Sequence, residues 1–393
     1  QGIVDLALAD RDDDGLVTFS GDMTLLRPLD TGASNRALLM QVPNRGSRSL
    51  VRLHFAESDS TPTAEVDPGD GFLFESGWTI VWAGWQWDVP RTPERERIGI
   101  IAPNVSLSAR NPVGQMQLRI QPNSEQNSFA LTDHHVGDMG NHQPIRVLDV
   151  NDPSAKLLVR ESLNKSPKLI SPTKWRFAKD VDGCPVENNG YVWLESGFRH
   201  GLIYDVIYSP YDCPVAGAGL LAMRDLTSYL RYDEASPLTN SIDNVIGEGQ
   251  SQCGRFLRTF LHLGLNSDEA GRPVFDGVLA HVAGGRRGEF NHRYAQPSVQ
   301  PTPSFGHLFP FADKPQTDPY TGMTAGLLDT QRTQGCVPKI ILTDTSSEYW
   351  RGDANLVHTD LSTKGDATLS DDVRRYMFTS TQHAAGDVPF ENN

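Results

Sequence analysis

Hydrophobic positions change their spacing along the chain, and the changes divide it into three stretches. Near the N-terminus, β-rich runs occupy 16–25 and 37–42, the second stopping abruptly at Pro43-Asn44-Arg45-Gly46. A short helix is predicted over 71–76, and 78–83 (WTIVWA) reads as a compact apolar strand ending at Gly84. From about 90 to 208 this rhythm gives way to short β-like pieces at 116–120, 145–150, 157–160, 191–194 and 202–208, amid Pro, Asn and Ser. Thereafter a helix at 220–230, a strand at 244–247, a helix from about 252 to 263, and strands at 278–282, 339–343 and 375–379 restore the alternation. Strands alternating with helices imply a mostly parallel sheet covered on both faces. The expected organisation is a first core segment at 1–89, a β-rich lid or cap insertion at 90–208, and a second core segment at 209–393.

Composition narrows the partners. With 35 basic against 49 acidic residues the net charge is -14, which opposes binding to nucleic acid or to anionic membrane surfaces. No apolar run approaches the roughly 18 residues needed to span a bilayer. The four cysteines, Cys184, Cys213, Cys253 and Cys336, form no CxxC pair, and Cys184 with Cys213 is the pair that could close a disulfide across the insertion. A chain starting at Gln1 fits removal of an export signal as well as trimming, so export is the leaning.

The segment 245–256 (VIGEGQSQCGRF) sets Ser251 between an apolar strand and an amphipathic helix. That is the context of a nucleophile elbow, where small residues two positions either side keep strand and helix from colliding. Gly249 and Cys253 hold those positions; Cys253 departs from the usual Gly but is small and precedes Gly254. A serine needs a base, and in this architecture the acid and then the histidine follow it in the chain. His383, in the loop after the last strand, fits; His358 lies in a predicted helix and reads as a packing residue. The acid belongs after the strand at 339–343, where Asp344 and Glu348 both qualify and spacing does not separate them. Oxyanion donors are expected from the Gln252 N–H and from the loop Asn44, Arg45, Gly46.

With these residues in view, the chain resembles a family of bacterial proteins described as alpha/beta hydrolase domain proteins, and the likeness runs nearly end to end. It rests on 42–46 (VPNRG), 77–88 (GWTIVWAGWQWD), 222–226 (AMRDL), 249–257 (GQSQCGRFL), 274–278 (VFDGV), 347–350 (SEYW) and 381–383 (TQH). The resemblance implies an α/β-hydrolase fold and a Ser251, Glu348, His383 triad, tipping the acid toward Glu348. Family members show Ser-Gln-Ser-Gly where this chain has Ser251-Gln252-Cys253-Gly254.

Weaker signals fall short. The run 10–15 (DRDDDG) mimics a calcium loop but has Gly21 where the bidentate Glu belongs. His134, His135, Asp138 and His142 lack a recognised ligand spacing, so no metal is expected. Trp85 and Trp87, beyond a strand end, are the expected pocket aromatics. The expected chemistry is hydrolysis of a small-molecule or polymer-linked carboxylic ester through an acyl-enzyme, with no cofactor. Rival readings are a peptidase or carbohydrate-decorating esterase on the same triad, or a binding protein on a hydrolase scaffold.

Overall fold

The computed structural model describes residues 2–48, 66–90, 97–106, 114–132, 142–299 and 308–384. Its centre is a seven-stranded sheet of β1 (Met23–Leu26), β2 (Ala37–Gln41), β3 (Thr79–Ala83), β4 (Asn244–Gln250), β5 (Gly277–His281), β6 (Lys339–Thr345) and β7 (Val373–Phe378). The spatial order is β1-β3-β2-β4-β5-β6-β7, with β1 antiparallel to β3 and every other neighbouring pair parallel. All five residues of β3 are buried, as are Leu38, Leu39 and Met40 of β2, as expected for strands covered on both faces. At the end of the sheet, β7 alternates buried Val373 with exposed positions.

The helices are α1 (Phe72–Glu75), α2 (Ala218–Tyr232), α3 (Gln252–His262), α4 (Asp329–Gln334), α5 (Ser346–Arg351) and α6 (Ala354–His358). Leu220, Leu221, Met223 and Leu230 of α2 and Phe256, Leu257, Phe260 and Leu261 of α3 join the strands in one apolar core. Among the described residues no helix is long and apolar enough to cross a membrane.

Strand order creates the place for a site. From β2 the chain steps to β3 on one side, and after the insertion it returns to β4 on the other side of β2. Loops leaving β2 and β4 therefore diverge, the topology at which open α/β sheets place ligand sites beyond the carboxyl ends of their strands. Asn44–Gly46 follow β2 and Ser251 follows β4.

The insertion is a β structure with its own hydrophobic cluster, which includes Leu118, Ile120, Phe129, Leu131, Val192, Leu194, Phe198 and Tyr208. An antiparallel four-stranded sheet runs in the order Met116–Ile120, Ile203–Tyr208, Lys156–Arg160, Lys168–Leu169. A three-stranded sheet pairs Trp175–Arg176 and Gln126–Ala130 with Tyr191–Phe198, and Ala178–Val181 forms a hairpin with Cys184–Glu187. The predicted strand at 145–150 is not one; its backbone is coil, with one isolated bridge between Val147 and Pro210. The considered disulfide is also absent, as Cys184, exposed, and Cys213, buried, are both free.

At the centre of the four-stranded sheet Asp205, 2% exposed, accepts from Arg119 Nε at 3.0 Å and from Arg160 Nη2. Removing the carboxylate would strand two cations that are mostly buried. Asp205→Ala is expected to lower stability by about 3 kcal/mol, read as a shifted denaturant midpoint, while Asp205→Asn recovers part of the loss.

Candidate active site

Ser251 joins β4 to α3 at φ 56 and ψ -114, a conformation that an L-residue adopts only when its surroundings enforce it. Its N–H donates to the His281 carbonyl at 2.8 Å, and its carbonyl accepts from the Arg255 N–H at 3.0 Å. Glycines on either side make the turn possible. A Cβ on Gly249 would lie 2.5 Å from the Cys253 carbonyl oxygen, and one on Gly254 would lie 2.9 Å from the Ala283 Cβ. Strand and helix thus touch through Gly249 against the Cys253 backbone, while helix and neighbouring β5 loop touch at Gly254. This explains why a side chain is accepted at 253: it points into the core, where Cys253 is 1% exposed. Burial first, and Glu248 second, push its thiol pKa well up, so Cys253 is no nucleophile at neutral pH.

Beyond β6 the chain turns into α5, whose start is closed by a capping box between Thr345 and Glu348. Glu348 Oε2 accepts from the Thr345 N–H at 3.1 Å and from the Thr345 hydroxyl, and Oε1 lies 2.6 Å from His383 Nδ1. Burial pushes the Glu348 carboxyl pKa up, but the hydrogen bonds from His383 and Thr345 together hold it below its ordinary value. The Ser380 N–H donates to Ser346 Oγ at 2.8 Å, tying the loop that carries His383 to α5.

Asp344 has a different partner. Buried at 3% exposure, it accepts the Gly284 N–H at 2.9 Å and faces His358 Nε2 at 3.6 Å. The two carboxylates that spacing could not separate therefore serve two histidines, Glu348 with His383 and Asp344 with His358.

In the loop after β2, the Ser47 N–H closes a turn onto the Asn44 carbonyl at 3.0 Å, with Arg45 at φ 49 and Gly46 at φ 73. Trp85 Nε1 donates to the Pro43 carbonyl at 2.8 Å and so supports this loop from within. Expected at the pocket, Trp85 is instead a core residue, 2% exposed, with its ring against Phe256 and Phe290. Trp87 is half-buried, donates to the Ala295 carbonyl at 3.0 Å, and packs against both the sheet core and the insertion core.

Sequence reasoning missed the segment 295–299, which links these parts. Gln252, the first residue of α3, donates through Nε2 to the Pro297 carbonyl at 2.7 Å and accepts from Gln86 Nε2 at 3.0 Å. Arg45 Nε donates to the Ser298 carbonyl at 2.8 Å. Asp88, completely buried, accepts from the Ser298 N–H at 2.9 Å and the Ser298 hydroxyl at 2.8 Å. From the insertion, the Gln143 N–H donates to the Asp88 carbonyl at 2.6 Å, and its carbonyl accepts from Gln296 Nε2 at 2.9 Å. The run of polar residues around 296–298 resembles any loop, so only its contacts reveal its role. Among the described residues no group of three or more His, Cys, Asp or Glu is arranged to hold a metal; His134, His135 and Asp138 lie outside them.

A mostly parallel sheet with a strained serine at the strand-to-helix turn beside its switch point defines the α/β-hydrolase class of fold. Residues 202–392 match the family described as "Alpha/beta hydrolase domain". No curated protein shows a significant match. Among solved structures, "Siderophore hydrolase EstA from Aspergillus nidulans" aligns with 93% of this chain and 88% of its own at 10% identity and a TM-score of 0.31.

Burial raises the Asp88 pKa from 3.8 to about 7, against the opposing hydrogen bonds from Ser298. Because the folded carboxyl binds its proton more tightly than the unfolded one, its contribution to stability is complete below about pH 4 and lost as pH rises toward 7. Denaturant titrations at pH 4.5 and 7.5 should therefore show wild type losing more stability than Asp88→Asn over that interval, by roughly 4 kcal/mol at most.

Proposed function

We propose that the protein is a serine carboxylic-ester hydrolase working through an acyl-enzyme, with Ser251 as nucleophile, His383 as base and Glu348 as acid. The observation that carries this reading is the Ser251 turn, whose φ of 56 is maintained at a strand-to-helix junction where structural packing alone would favour a relaxed residue. Support comes from the 2.6 Å contact between Glu348 and His383 Nδ1 beyond the same edge of the sheet.

Glu348 holds the imidazole by Nδ1, leaving Nε2 as the atom that takes the Ser251 proton when the hydroxyl attacks the ester carbonyl. The carboxylate offsets the imidazolium charge, and its lowered pKa keeps it ionised in the working range. The oxyanion forms beside the Gln252 N–H at the start of α3, facing the Asn44, Arg45, Gly46 loop. His383 then protonates the leaving alcohol, and water, deprotonated by the same imidazole, releases the acid. The network through Gln252, Pro297 and Ser298 fixes the donors in advance, which is where electrostatic catalysis gains most. Trp87 borders the approach from the insertion side.

A fluorophosphonate probe is expected to label wild type and not Ser251→Ala; labelling that persists in the variant would remove Ser251 from its role. With a short-chain p-nitrophenyl ester, Ser251→Ala and His383→Ala should each lose about three to six powers of ten in turnover, and His358→Ala should be mild. Glu348→Gln should cost on the order of 10⁴. Asp344→Asn keeps an oxygen to accept the Gly284 N–H and should retain most activity. A crippled Asp344→Asn beside an active Glu348→Gln would reverse the acid assignment.

A further inference from the structure

Resting on the hydrolase reading, we infer that the site takes esters carrying a carboxylate within a few bonds of the scissile carbonyl, held by Arg45 and Arg255. Three neighbouring strands each deliver an arginine beyond their carboxyl ends: Arg45 after β2, Arg255 one turn into α3 after β4, and Arg286 after β5. Arg286 is satisfied by Asp353 at 3.1 Å. The other two are not. Arg45 is 8% exposed; its Nε and Nη1 reach only neutral acceptors, the Ser298 carbonyl at 2.8 Å and Asn44 Oδ1 at 3.0 Å, and its Nη2 is buried with no acceptor. Arg255 is 7% exposed, and both its Nε and its Nη2 are buried with no acceptor. Among the described residues neither forms an ion pair.

A buried guanidinium with open donors is costly unless something supplies the counter-charge. Burial first lowers the Arg255 pKa to about 10, with Cys253 and Glu348 opposing that shift and Arg45 and Arg286 adding to it, so the group stays charged near neutral pH. The carboxylates nearest in effect are already engaged: Asp88 accepts from Ser298, and Glu348 holds His383 and Thr345. Two buried positive charges, close enough to act on each other, are thus carried by the loop after β2 and the first turn of α3, in a chain of net charge -14. Arg255 stands one turn into α3, four residues after Ser251, within electrostatic reach of Glu348 and of Arg45 in the loop after β2. A planar carboxylate accepts two parallel bonds from such a fork, which neutral esters cannot do.

The charge can sit on either half of the ester, and two substrate pairs separate these cases. p-Nitrophenyl hemiadipate against p-nitrophenyl hexanoate places it on the acyl half; p-acetoxybenzoate against p-acetoxybenzamide places it on the alcohol half. In at least one pair wild type should favour the anionic ester by roughly tenfold or more in kcat/KM, chiefly through KM. Arg255→Gln should bring that ratio close to one, and Arg255→Lys should keep part of it, with folding checked by circular dichroism. If Arg255→Gln does not fold, the wild-type ratios and Arg255→Lys carry the decision. No preference in either pair, or an unchanged ratio in Arg255→Gln, overturns the inference. Calorimetry with adipate and with p-hydroxybenzoate distinguishes it from the reading beneath: carboxylate binding abolished in Arg255→Gln, with no ester turned over, keeps the anion subsite and removes the hydrolase. Turnover of neutral esters without carboxylate binding does the opposite.

Discussion

Ser251 occupies backbone space that costs an ordinary residue about 1–3 kcal/mol, and much of the surrounding architecture maintains it. Its own N–H and carbonyl are both engaged, by His281 and Arg255. Relaxation toward a helical or extended conformation would break those bonds and separate Gly249 from the Cys253 backbone. The strained turn also dictates where α3 starts, which places Phe256, Leu257 and Phe260 in the core. Gln252 is thereby brought against Gln86 and Pro297. One constrained dihedral pair therefore links the sheet, its principal helix and the segment 295–299.

Glu348 shows a second economy of construction. One carboxylate oxygen completes the cap of α5 through Thr345 while the other holds His383. A side chain fixed by a helix start has little rotameric freedom left, so the imidazole inherits its orientation from secondary structure. His383 itself, with a side chain 42% exposed, has little packing to orient it.

The central sheet was largely legible because doubly covered parallel strands appear as continuous apolar runs, as in ALLMQ at 37–41 and TIVWA at 79–83. The Ser251 turn was legible because an elbow is made of consecutive residues. Properties set by distant partners were not. Gln126–Ala130 and Cys184–Glu187 have little apolar alternation and are strands because a neighbour pairs with them. Conversely, 145–150 has the composition of a strand, yet Ile145 is spent bonding Leu131 and the Tyr208 hydroxyl. Trp85 and Trp87 differ by two positions and look equivalent in sequence, but only the first meets Phe256 and Phe290. Asp344 and Glu348 are alike until it is known which histidine each reaches.

The insertion's pairing has a consequence for how the chain finds this fold. β2 and β4 must align side by side although the whole insertion lies between them in sequence. Met116 and Tyr208, far apart along the insertion, are direct partners in its four-stranded sheet. Once that sheet has formed around its separate cluster, the long excursion from Ala83 to Asn244 is pinched into a much shorter effective loop. The entropy of closing β4 onto β2 falls accordingly. An early-folding insertion would thus act as an internal clasp, letting a sheet of distant strands assemble as if its halves were neighbours along the chain.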